Sequence, residues 1–227
     1  MTKKDYAEIE AYMLSQMHDS AHDKHHIYRV LNSAVDIFRH ESSACFDVLA
    51  AACLLHDIGR KAEIENPATC HAKAGSEMAY AFLLSLKWPV EKACHVRECI
   101  ASHRYRVNHP PKTIEAKILF DADKIDAAGA IGIARTLIYK GTLDRLLYEV
   151  DDRGSIITDN NGTNKLSFFQ EYNFKLKKIY DLFYTERAKE IATQRQKAAV
   201  DFYNGLFNEV SGNYENGMNC CTSLLSE

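Results

Sequence analysis

The sequence predicts an all-α fold, a single helical bundle, and three observations carry the fold class. Apolar residues recur at helical spacing along nearly the whole chain. Gly and Pro are scarce, at 10 and 4 of 227 residues, which argues against a many-turned β architecture. No stretch alternates convincingly as a strand. With 46% hydrophobic residues the chain is long enough and apolar enough for a substantial core, which excludes wholesale disorder.

The elements follow in order. Ile9, Tyr12, Met13 and Met17 form a first helical stripe. Ile27, Val30, Leu31, Ala34, Val35 and Phe38 form a second. Asp47 caps or leads a third helix through Leu55, apolar on all sides and therefore central, with Gly59 where it should stop. Asn66-Pro67 marks a loop, and helices are expected from about His71 to Lys87 and from Val90 to about Ser102. His109-Pro110-Pro111 breaks the chain. Thr113 opens an imperfect capping box, with Ala116 where Glu would stand, for a helix running into Asp121–Asp126. Residues 127–149 continue as one or two helices, and Gly129 and Gly132 read as close helix packing. The polar stretch 151–165 is expected to be a flexible loop or lid. Two more helices run from about Ser167 to Asn208. One domain over 1–212 is expected, with a core about 20–150 and a helical C-terminal part 167–210; residues 213–227 read as a disordered tail.

Composition narrows function. Lys plus Arg is 28 and Asp plus Glu 31, a formal net charge of −3, which leaves no electrostatic footprint for a long nucleic acid. The longest apolar run, Val48–Leu55, is far too short to span a bilayer, and the N-terminal segment has no apolar signal region, so no membrane partner and a cytoplasmic location are expected. Seven Cys without a CxxC fit a reducing compartment, and the Asn161-Gly162-Thr163 glycosylation match is discounted accordingly. The ten His are the feature to explain, because His is the commonest metal ligand.

Three segments hold candidates. In LLHDIGRK an apolar helix ends in His56-Asp57, followed by Gly59, Arg60 and Lys61. A His and an Asp closing a buried helix are costly unless bonded or metal-bound. A capping Asp beside a core His is the competing reading. In HDKHHIYRV, His22 and His26 share a helix face, as do His26 and Arg29. The Glu that a zincin helix needs is absent, and exposed, solvated positions are expected for His18, His22 and His25. In ILFDADKID, spacing alone does not say which of Asp121, Asp123 and Asp126 turns inward. His71 opens one helix beside Gly75, and His103 ends another beside Arg104 and Arg106. Neither a nucleophile elbow nor a P-loop is present.

Taken together these segments resemble the HD-domain metal-dependent phosphohydrolase superfamily, whose pattern is a His, a His-Asp doublet and a distant Asp in a helical core. The matching residues are His26, His56, Asp57 and Asp123. The chain is most similar to a small HD hydrolase subfamily through AACLLHDIGR, HAKAGS, HR at 103–104, DADKIDAAGAIGIAR at 121–135 and TERAKEIATQR at 185–195, so the resemblance spans roughly residues 20–210.

That resemblance implies one divalent ion (Mn, Co, Ni, Fe, Zn or Mg) held by His26, His56, Asp57 and Asp123, with Asp121 and Asp126 in support. His71 and His103 fall near where two-metal members place extra ligands, which leaves room for a second ion. A Glu expected after the doublet in 5′-nucleotidase-type members is replaced by Arg60 and Lys61, and the GYP motif of cyclic-dinucleotide phosphodiesterases is missing. The implied activity is hydrolysis of a small phosphorylated substrate, a nucleotide, including deoxynucleoside triphosphates cleaved to monophosphate and pyrophosphate. Arg60, Lys61 and Lys124 would then bind phosphate, and His71 and His103 would orient substrate or donate a proton. Two other readings stay open: an HD-type di-iron oxygenase and a non-catalytic nucleotide sensor.

Overall fold

A capping box starts the first helix, α1 (Lys3–Gln16): Thr2 Oγ1 accepts from the Asp5 N–H, and Asp5 accepts from the Thr2 N–H. The computed structural model describes residues 1–17, 24–104, 109–160, 162 and 165–225. His18, His22, Asp23 and Arg106 lie outside the described residues, as do Asn161 and Thr163. Contacts divide the chain into two compact units, Met1–Asp126 with Phe183–Ile191, and Ala127–Leu182 with Ala192–Glu227.

The first unit is a helical bundle around the most apolar segment. Helix α2 (Lys24–Phe38) buries Ile27, Val30, Ala34 and Ile37 at helical spacing. Helix α3 (Phe46–Leu55) is buried on every side from Val48 to Leu55, as its unbroken apolar run predicts, and packs against α1, α2, α6 and α7. Asp47 sits in its first turn, while Cys45 occupies the cap position; Asp47 instead pairs with Lys92 Nζ at 2.6 Å and with the terminal amine. A short α4 (Arg60–Glu65) follows Gly59. Then come α5 (His71–Ser85), α6 (Val90–Ser102) and α7 (Ile114–Ile125). Thr113 Oγ1 accepts from the Ala116 N–H at 3.3 Å, so half of the expected capping box is made.

Gly59 and Gly75 meet backbone to backbone. A Cβ on Gly59 would lie 2.5 Å from Gly75 N, and one on Gly75 would lie 3.0 Å from Gly59 N. The turn after α3 therefore rests directly on the first turns of α5. Asp121, fully buried on α7, accepts from the Tyr184 and Thr185 N–H groups and from Thr185 Oγ1, so it closes the entry to α10 (Glu186–Val210).

The second unit begins with α8 (Gly129–Thr142), one helix that ends short of 149 where one or two were expected over 127–149. The helix ends just before a left-handed Asp144 (φ 51°), with Arg145 N donating back to Lys140 O at 3.0 Å. The 151–165 segment, expected to be flexible, contains a tight turn in its described part. Asp151 Oδ1 accepts from the Arg153 and Ser155 N–H groups, and one isolated bridge joins Val150 to Ile156. Helix α9 (Phe168–Phe174) and a 3-10 helix (Leu176–Asp181) then pack an aromatic core of Phe168, Phe169 and Tyr172 against Tyr203 and Phe207. Gly129 (φ 69°) lies close against Arg195 of α10, the close helix packing expected of it, whereas Gly132 meets the Ala127 carbonyl just before its own helix. The stretch after Gly212, expected to be disordered, is helical as α11 (Asn213–Leu224). No strand occurs among the described residues, in keeping with an all-α fold.

Candidate metal centre

Four histidines and two aspartates of the first unit converge at the ends of its helices. His26 comes from the first turn of α2, His56 and Asp57 from the end of α3, His71 from the first residue of α5, His103 from the end of α6, and Asp123 from α7. His26, His56, Asp57, His71 and His103 are buried; Asp123 is the open member, its side chain 17% exposed.

Local geometry orients every ring. A helix end leaves its last carbonyls without partners. His56 Nδ1 binds back to Cys53 O at 2.8 Å, and His103 Nδ1 to Ile100 O at 2.6 Å, the same three-residue step at two helix ends. His26 Nδ1 meets Asp126 Oδ2 at 2.7 Å, and His71 Nδ1 meets Glu63 Oε2 at 2.6 Å. A carbonyl or an ionised carboxylate only accepts, so each Nδ1 carries the hydrogen. Each Nε2 is thereby left with its lone pair directed inward, the tautomer a metal needs.

The lone pairs gather around Asp57. Asp57 Oδ2 lies 3.6 Å from His26 Nε2 and 3.7 Å from His56 Nε2. Asp57 Oδ1 lies 3.5 Å from His71 Nε2 and 3.6 Å from His103 Nε2. These separations are too long for hydrogen bonds, and among the described residues both Asp57 oxygens and His71 Nε2 are buried without a hydrogen-bond partner. His26 and His56 bring their Nε2 atoms to 3.3 Å of each other, an unfavourable approach of two lone pairs unless a cation or proton lies between them. The donors fall into two groups able to hold an ion, His26–His56–Asp123 and Asp57–His71–His103. Buried orphaned oxygens beside unprotonated imidazoles fit a divalent metal by donor chemistry.

Electrostatics agree. Burial alone would raise the Asp57 carboxyl, but the Arg60 guanidinium beside it outweighs that and holds it well below the ordinary carboxylate range. Asp123 is held low by Lys124 and His26 against its own burial. Burial pushes His56 down to about 3, and burial with Arg60 pushes His71 down to about 4, so both rings are neutral near pH 7. His26 moves the other way: its hydrogen bond to Asp126 and the nearby charges of Asp57 and Asp123 overcome its burial and raise it.

Among the cations expected at the site, Arg60 Nε lies 3.1 Å from Asp57 Oδ1, close in charge but not aligned as a hydrogen bond. Lys124 Nζ binds Asp123 Oδ2 at 2.7 Å. Lys61 is not brought in; its side chain is 57% exposed and lies 3.9 Å from Glu65, because it falls on the outer face of α4. Asp126 supports the cluster, binding Arg29 Nε at 2.6 Å as well as His26. Glu63 escaped the sequence reading. It accepts from both His71 and Arg104, and nothing in its spacing from the His-Asp doublet announces that.

Residues 17–128 match the family model of the HD domain.

That span contains every donor named above. The chain is 27% identical over 215 residues to the Bacillus subtilis protein YpgQ, covering 92% of this chain and 95% of that one. A crystal structure of YpgQ in complex with ADP superposes with a TM-score of 0.70 at 26% identity, covering 91% of this chain and 98% of that chain. A structure from Lactobacillus plantarum gives a TM-score of 0.74 at 25% identity over 92% and 98% of the two chains. An HD-superfamily hydrolase from Bacillus thuringiensis gives 0.68 at 29% identity over 91% and 97%. Among the described residues no helix is long and apolar enough to cross a membrane.

Proposed function

We propose that the protein is a metal-dependent phosphohydrolase acting on nucleotides. One observation carries the metal: four imidazole Nε2 atoms surround the two buried oxygens of Asp57, neither of which has a hydrogen-bond partner among the described residues. The HD-domain match and the hydrolase named among its structural neighbours support hydrolysis, and the ADP complex of YpgQ supports a nucleotide.

His26, His56 and Asp123 would hold one ion, and Asp57 with His71 and His103 a second. A bound ion supplies a water of lowered pKa and polarises a phosphate oxygen. The chain's own residues set the charge. Asp57, Asp123, Asp126 and Glu63 are matched by Arg60, Lys124, Arg29 and Arg104, so the cluster is close to neutral by itself. Each divalent ion then makes it attractive to a phosphate anion. Lys124 and Arg60, both only partly buried beside the donors, orient phosphate oxygens, with the planar Arg suited to two at once. His71 and His103 act as donors to metal rather than as proton donors, since their N–H groups are committed to Glu63 and to Ile100 O.

The test is metal analysis of the purified protein, then a screen of nucleoside mono-, di- and triphosphates with Mn, Co, Ni and Mg, reading phosphate and pyrophosphate release. Asp57→Ala and Asp123→Ala should each lose bound metal and at least about 100-fold of turnover. Wild-type turnover in either variant refutes the site. The pairing of two donor groups also suits the di-iron oxygenase reading. Two irons per chain with oxygen uptake would favour it; phosphate release with Mn or Co and no oxygen uptake would remove it.

A further inference from the structure

Glu63 has no part in the donor groups, yet it is the only carboxylate bonded to one of their rings from the side of α4 among the described residues. Its two oxygens are divided. Oε2 accepts from His71 Nδ1 at 2.6 Å, and Oε1 accepts from Arg104 Nη1 at 2.7 Å, just beyond the end of α6. Arg60 Nη1 adds a longer contact to Oε2 at 3.6 Å. The other three rings differ: two are tied to carbonyls of their own helices, and His26 to Asp126 one helix away. A backbone carbonyl three residues back cannot leave its ring. A side chain on a six-residue helix can, so the tautomer of His71, like that of His26 with Asp126, depends on one replaceable side chain.

We propose that Glu63 is a positioning residue: by accepting the His71 Nδ1–H it holds the ring in the tautomer whose Nε2 lone pair faces Asp57 Oδ1. An imidazole without that acceptor would place its hydrogen on Nε2 and donate to Asp57 Oδ1, 3.5 Å away, satisfying an orphaned oxygen and closing the position to a metal. Outer partners of this kind change metal affinity by roughly 10–100-fold. The consequence for metal binding rests on the reading of Asp57, His71 and His103 as a donor group; the tautomer does not.

The experiment reads the tautomer first. Metal-free protein labelled with 15N-histidine is examined by long-range 1H–15N NMR at neutral pH. Wild type is expected to show His71 as the Nδ1–H form, assigned by the loss of its signals in His71→Asn. Glu63→Ala should convert it to the Nε2–H form or a mixture. Glu63→Gln should keep the wild-type form, because its amide oxygen still accepts from the ring while its amide nitrogen gives up Arg104. Arg104→Ala should also keep it. A wild-type ring in the Nε2–H form overturns the proposal whatever the variants do, and so does an unchanged tautomer in Glu63→Ala. Titration with Co(II), followed by visible absorption, then measures the consequence. Glu63→Ala should weaken one binding step roughly 10–100-fold and Glu63→Gln should restore it to within a few fold. Absence of any cobalt binding to wild type would refute the metal reading, and the tautomer result would still decide the role of Glu63.

Discussion

Each ring of the cluster carries its hydrogen on the outside and its lone pair on the inside, and that arrangement rests on partners the chain reaches by very different routes. Cys53 O and Ile100 O are reached within a turn, so a His closing a helix finds them automatically. Asp126 is reached across 100 residues from His26, and it also receives Arg29. Replacing Asp126 with Ala would remove the acceptor of the His26 Nδ1–H and one partner of Arg29, and should weaken metal binding roughly 10–100-fold, measured by calorimetric titration with Mn or Co. Affinity equal to wild type would show that α2 alone orients the ring. The same contrast explains what was legible in the sequence. His56, Asp57, His71 and His103 sit at helix ends whose apolar runs and breakers can be read directly. His26 and Asp123 stood out from His25 and Asp121 only through a family resemblance, because periodicity puts several candidates on adjacent faces. Glu63 was not legible, since its partners stand 8 and 41 residues away and are chosen by packing.

At the scale of elements, the fold class and most helix positions follow from patterning: the runs ending at Leu55, Ser85 and Ser102 are all marked by their flanks. The misses have physical causes. Helix α8 stops early because Asp144 adopts a left-handed turn that periodicity does not reveal. The Asp-rich stretch from 151 is held by its own side-chain bonds, which composition reads only as polarity. The junction of Gly59 with Gly75 is the element-level feature with the clearest test. Gly59→Ala would drive a methyl into the backbone of α5 and should destabilise the protein by about 1–3 kcal/mol, read as a lower midpoint in urea unfolding. It should also disturb metal binding, because His56, Asp57 and His71 flank that contact. A neutral substitution would mean that the turn moves aside without cost.

At the scale of the whole molecule, a net charge of −3 bears little on an anionic small substrate, because charge balance at the cluster is set locally. Metal occupancy should register in global stability. At a free ion concentration 100-fold above Kd, binding adds about 2.7 kcal/mol, so EDTA should lower the thermal midpoint, and readdition of the ion should restore it. No shift on chelation would argue against bound metal in the folded state. The direct seating of one glycine turn on another has a last consequence, one of timing. Where two backbones touch with no side chain between them, the spacing of the doublet and His71 is built when the chain folds rather than when an ion arrives. Loading then demands little new ordering, as in a mould cast before it is filled. Chelated protein should accordingly refill quickly and without refolding.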